Sequence, residues 1–168
     1  AYEPPRETKL SMEQLPIVWA AALPDHWGSW LRFALLTGMR KSETKRAFVQ
    51  GDELVVENTK NHSNLRLPMT DAIEACFFDY SHISCFKPLT KHLLAETEIH
   101  ATPHDLRRTF ANVARIAGIQ QNTLSWLMNH RSSRSDQTSS YQGRPEIFVL
   151  REALTAIEAV YRRAGCAL

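Results

Sequence analysis

A histidine and two arginines stand in the first turns of the stretch TPHDLRRTFANVARIAG, residues 102–118. A histidine exchanges protons near neutral pH, and an arginine presents a planar, permanently charged fork to anionic oxygens. A helix turns by roughly 100° per residue, so His104 and Arg107 lie one turn apart on one flank, facing a cleft or solvent. An H-x-x-R pair alone reads first as a solvated helix face, and only other residues can change that reading. Three basic clusters bear on the choice: Arg40, Lys41, Lys45 and Arg46; Arg107 and Arg108; Arg131 and Arg134. Each sits beside a turn or a helix start, where side chains from distant parts of the chain can converge.

The elements that must position these groups are legible in the spacing of apolar residues. Leu106, Phe110, Val113 and Ala117 recur at steps of four, three and four, which is one buried helical stripe. With Pro103 suited to the first helical position and Gly118 to a stop, a helix is predicted over 103–117. Upstream, Ser11 can cap a helix through about residue 23 whose apolar side is Met12, Leu15, Val18 and Trp19. A second helix is predicted over 26–36 and ends at TGMRKSE, where Gly38 supplies a positive φ. A short helix begins near Arg40. From Phe48 the period changes: FVQ, ELVVENTK and LRLPMT read as strands separated by Gly51-Asp52 and by NHSN, a small antiparallel sheet with Lys60 at the tip of its second hairpin. Helices resume over about 71–80, 89–96, 122–128 and 145–163, the last striped by Ile147, Leu150, Leu154, Ile157 and Tyr161. The predicted class is mainly α with a small antiparallel β-sheet, α+β.

A chain of 168 residues that is 43% hydrophobic and 23% charged has material for one domain with a real core. No apolar run approaches bilayer length, and AYEPPRETKL lacks a signal-peptide core, so a cytoplasmic protein is expected. Residues 1–10, with adjacent prolines, read as a linker tail, and 11–168 as the domain proper. Cys76, Cys85 and Cys166 are odd in number and form no C-x-x-C, which argues against a disulfide framework or a cysteine-rich zinc site and makes them packing residues. His100 and His104 stand at i, i+4 without an obviously spaced third ligand. The net charge of +2 is too small to establish a nucleic-acid partner by itself. Neither a G-x-x-x-x-G-K-[ST] loop nor a G-x-G-x-x-G turn is present, so no nucleotide cofactor is expected.

Taken in order, TGMRKSE with Arg40, ENTKN with Lys60, HDLRRT with His104 and Arg107, LMNH with His130 and QTSSYQG with Tyr141 resemble the catalytic domain of the tyrosine recombinases, the phage-integrase family. The resemblance covers about residues 11–163, and its anchors are T-G-x-R-x-x-E, H-x-x-R-x-T and a histidine followed shortly by a tyrosine. It implies the DNA breaking-rejoining fold and metal-independent cleavage of a DNA phosphodiester. Arg40 and Arg107 would hold the non-bridging oxygens, and Tyr141 would be the nucleophile. A phenol with pKa near 10 needs help at neutral pH, for which His104 is the candidate base. His130 would be a further phosphate donor, and Lys60 would protonate the departing 5′-hydroxyl. The product would be a 3′-phosphotyrosine linkage that a second 5′-hydroxyl can rejoin without ATP or any other cofactor. Partners would be double-stranded DNA recombination sites and other protomers on that DNA, at the nucleoid of a bacterial or phage-infected cell, with no membrane. The apolar helix after Tyr141 would dock on a neighbouring protomer, unless it closes on its own core.

Alternatives stay open at several positions. Lys41 and Lys45 compete with Lys60; Tyr2, Tyr80 and Tyr161 compete with Tyr141; Glu43 reads as a partner that orients arginine or caps backbone. The family usually has a glycine where this chain has Asn129, which also tolerates a left-handed backbone. Eleven residues separate His130 from Tyr141, longer than the usual family interval, with the extra length in RSSRSD. The family's N-terminal core-binding domain is not within these 168 residues. A type IB topoisomerase would share the tyrosine chemistry, and a non-catalytic DNA-binding regulator derived from an integrase would share the fold.

Overall fold

Helix α2 (Trp27–Thr37) is apolar almost all round, and a helix of that kind belongs inside a protein. The computed structural model, which describes residues 9–57, 59, 64–130 and 143–168, places it at the centre. Around it pack α1 (Gln14–Trp19), α4 (Asp71–Cys76), α6 (Pro103–Ile116) and α8 (Ile147–Ala164). The short α3 (Lys41–Thr44) follows α2. Then come β1 (Phe48–Gln50), β2 (Glu53–Val56) and β3 (Leu65–Pro68) in one antiparallel sheet of that order. Phe48 pairs with Val55 and Val56 with Leu65, and β3 rests on α8. Helices α5 (Lys87–Thr97) and α7 (Gln121–Leu127) complete the described elements. The chain is thus mainly α with a small three-stranded sheet. No helix among the described residues is long and apolar enough to cross a membrane.

Helix α6 forms as its spacing predicts. Leu106, Phe110 and Val113 are fully buried, and Thr102 and Asp105 close a reciprocal capping box in which each side chain accepts from the other's N–H, at 3.2 and 2.9 Å. Two other helices are shorter than predicted, and in each the last helical carbonyl accepts from a side chain beyond the helix. The helix expected over 11–23 runs only Gln14–Trp19, with Glu13 rather than Ser11 in the N-cap position; the Ser11 hydroxyl accepts from the Gln14 N–H, and at the far end the Trp19 carbonyl accepts from Arg32 Nε at 3.1 Å. The helix expected over 71–80 stops at Cys76, whose carbonyl accepts from the Tyr80 hydroxyl at 2.5 Å. The strand expected over 53–60 ends at Val56, and Lys60 lies outside the described residues.

Three expectations change in burial. Leu10, assigned to the tail, is 2% exposed, and its N–H donates to Thr109 Oγ1 at 2.9 Å. Cys76 and Cys166 are packing residues, but Cys85 is exposed; all three are free thiols. The stripe on α8 faces inward: Leu150, Leu154, Ile157 and Tyr161 are buried within this subunit, and the Tyr161 hydroxyl donates to the Leu35 carbonyl at 2.6 Å. Here the helix after Tyr141 closes on its own core.

Gly38 ends α2 with φ +65°, and a Cβ built on it would stand 2.3 Å from Phe110 Cδ1. Gly38→Ala is expected to combine left-handed strain of about 1–2 kcal/mol with overpacking of about 1–3 kcal/mol. Calorimetry should record a lower melting temperature. An unchanged melting temperature would contradict the close approach of α2 to α6.

Candidate functional site

The fully buried Phe110 packs under Gly38, and from the same helix Arg107 reaches the Gly38 carbonyl. Its Nη1 donates to that oxygen at 2.5 Å and its Nη2 to the Met128 carbonyl at 2.9 Å. One side chain thus ties the end of α2 to the end of α7 through α6. A guanidinium carries five N–H donors, so two such bonds do not exhaust it. His104 and Arg107, expected together on one flank, differ in burial: Arg107 is 8% exposed and His104 is exposed. Burial first, and the charge of Arg40 second, push the Arg107 guanidinium down to about 10, with Glu43 acting in the opposite sense. It remains a cation at neutral pH.

Arg40 follows Gly38 by two residues and stands in the N-cap position of α3. Glu43 is 3% exposed, and its Oε1 accepts from the Arg40 backbone N–H at 3.1 Å and from Arg40 Nη1 at 3.2 Å. It caps backbone and orients the arginine. Its other oxygen, Oε2, is buried without a hydrogen-bond partner among the described residues. Arg40 is paired with the one buried carboxylate, whereas Arg107 donates to two backbone carbonyls, so positive charge exceeds negative among these three groups, an arrangement that suits an anion.

The third edge of the site is the turn after α7. Asn129 adopts φ +50°, the left-handed conformation that asparagine tolerates. Its Nδ2 donates to Thr59 Oγ1 at 2.7 Å, and both residues are buried. The neighbouring His130 is exposed, and its N–H donates to the Ser125 carbonyl at 2.8 Å. The structure thus brings Arg40, Arg107 and the His130 turn together, with exposed His104 one turn before Arg107 on α6. Lys60 and Tyr141 lie outside the described residues.

Two of the competing tyrosines can be judged directly. Tyr80 and Tyr161 are buried, each hydroxyl donates to a backbone carbonyl, and burial raises both phenols above their ordinary range. Neither is placed or poised to attack a large substrate. Tyr2, like Tyr141, is outside the described residues. Of the competing lysines, Lys41 is exposed on α3 and Lys45 is half-buried just after it.

Sequence reasoning missed the Thr59–Asn129 bond and the orphaned oxygen of Glu43; an asparagine in place of a glycine was the one available signal. It also missed a second polar pair at the start of α2. His82 Nδ1 donates to the Asp79 carbonyl at 3.0 Å, which leaves Nε2 to accept from His26 Nδ1 at 3.3 Å. Burial, reinforced by His82, keeps the His26 imidazole below its ordinary pKa. Among the described residues no three His, Cys, Asp or Glu side chains are grouped as metal ligands. No family model matches the chain, and no curated protein matches it in sequence.

Proposed function

We propose that this chain is the catalytic domain of a tyrosine-type site-specific DNA recombinase, acting on double-stranded DNA in the cytoplasm. The observation that supports this reading is the position of Arg107, whose guanidinium lies between the carbonyls of Gly38 and Met128. That contact gathers T-G-x-R, H-x-x-R and the N-H turn, three segments far apart in sequence, around a local excess of positive charge. Arg40 and Arg107 would hold the non-bridging oxygens of the scissile phosphate and stabilise the charge of the transition state. Tyr141 would attack phosphorus, with its proton passing to His104. The 5′-oxygen would leave with a proton from Lys60, and His130 would donate to a phosphate oxygen. The phosphotyrosine ester keeps the energy needed for rejoining.

The test uses a pool of randomised duplexes, each carrying a nick, incubated with the protein and resolved under denaturing conditions. A covalent protein–DNA band is expected, and it should vanish in Tyr141→Phe. Absence of the band in the wild type, or its persistence in Tyr141→Phe, sinks the reading. Sequences enriched in the band then serve for two-site exchange, alongside plasmid relaxation; relaxation without exchange would favour topoisomerase chemistry.

A further inference from the structure

We propose that Asn129 is a positioning residue which, through Thr59, locks the turn carrying His130 and the backbone anchor of Arg107; its consequence for catalysis rests on the function proposed above. Glycine would adopt φ +50° at no steric cost, so the backbone alone gives no reason for an asparagine. The side chain supplies what glycine lacks, a donor that meets Thr59 Oγ1 at 2.7 Å. Asn129 is 6% exposed and Thr59 is 3% exposed, so little water competes for this bond, and losing it removes a buried hydrogen bond.

Its place in the chain gives the bond its effect. On one side of Asn129, the Met128 carbonyl receives Arg107 Nη2 at 2.9 Å; on the other, the His130 N–H is held by the Ser125 carbonyl at 2.8 Å. Thr59 enters from the connection that follows β2, 70 residues earlier in the chain. The connection after β2, α6 and α7 therefore meet at a single turn. A displacement of that turn moves the anchor of one proposed phosphate donor and the backbone of another. Groups held in place before substrate arrives need no reorganisation in the transition state, so the expected loss falls on kcat rather than KM.

The test compares wild type with Asn129→Gly, Thr59→Val, the double variant and Thr59→Ser, each first shown to melt cooperatively. Hydrogen exchange at the His130 N–H reports opening of the turn and does not depend on activity. Asn129→Gly and Thr59→Val should each raise it about tenfold, the scale of one lost buried hydrogen bond. The double variant should raise it by less than the product of the two single effects, and Thr59→Ser should behave as wild type. On a nicked duplex, kcat for adduct formation should fall in Asn129→Gly and Thr59→Val with KM unchanged, and recover in Thr59→Ser. Unchanged exchange in both single variants overturns the lock. Raised exchange with unchanged kcat, in an active parent, overturns the positioning role. A wild-type protein that forms no adduct overturns the function proposed above, and the catalytic consequence with it, whatever the exchange shows.

Discussion

Arg107→Ala is expected to lower covalent-adduct formation by about 10²- to 10³-fold, the scale of losing one preorganised donor to developing charge. Arg40→Ala should have a loss of the same order under the proposed function. The two variants should differ in stability. Arg107 donates to two carbonyls and is itself buried, so its removal strands both acceptors and is expected to cost about 2–4 kcal/mol. Arg40 has 26% of its side chain exposed, and Glu43 keeps the Arg40 backbone N–H after truncation, so about 1 kcal/mol is expected there. Binding to DNA should weaken only modestly in both and should fall steeply with salt in every variant, through counterion release. The measurements are adduct yield below each variant's melting temperature, denaturant unfolding, and binding at two ionic strengths. Near-normal cleavage in either variant would remove the proposed phosphate clamp. Equal stability of the two would contradict the anchoring of Arg107.

The second large effect concerns α8. Leu150 and Leu154 are 1% and 0% exposed, and the helix that carries them also donates from Arg151 Nη1 to the Met69 carbonyl and accepts on Glu158 from Thr70. Truncating one such leucine costs about 2–5 kcal/mol before any charge is buried, and a carboxylate in that place adds its desolvation. Leu150→Asp combined with Leu154→Asp should therefore exhaust a stability of the usual 5–15 kcal/mol. Circular dichroism should show no cooperative melt in the double variant. A folded, monomeric double variant would mean that these leucines face outward, as a docking helix would require.

The elements that formed as predicted are those whose cause lies within a few residues. The apolar steps of α6, the Thr102–Asp105 box and the left-handed stop at Gly38 are each written in three or four neighbouring positions, and local geometry alone realises them. The same holds for the Glu43 cap on Arg40, three residues away. Tertiary structure decided what depends on partners remote in sequence. The Trp19 carbonyl meets Arg32, 13 residues on; Arg107 is drawn inward by Gly38, 69 residues away; Asn129 finds Thr59 across 70 residues; Tyr161 reaches Leu35 across 126. Periodicity told that α8 has an apolar face but not which surface covers it, because burial in the chain's own core and burial against a second copy make the same demand on the helix. Residue type and order carried the candidate chemistry, whereas the inward turn of Arg107 required a backbone carbonyl, which every residue possesses and no sequence motif marks.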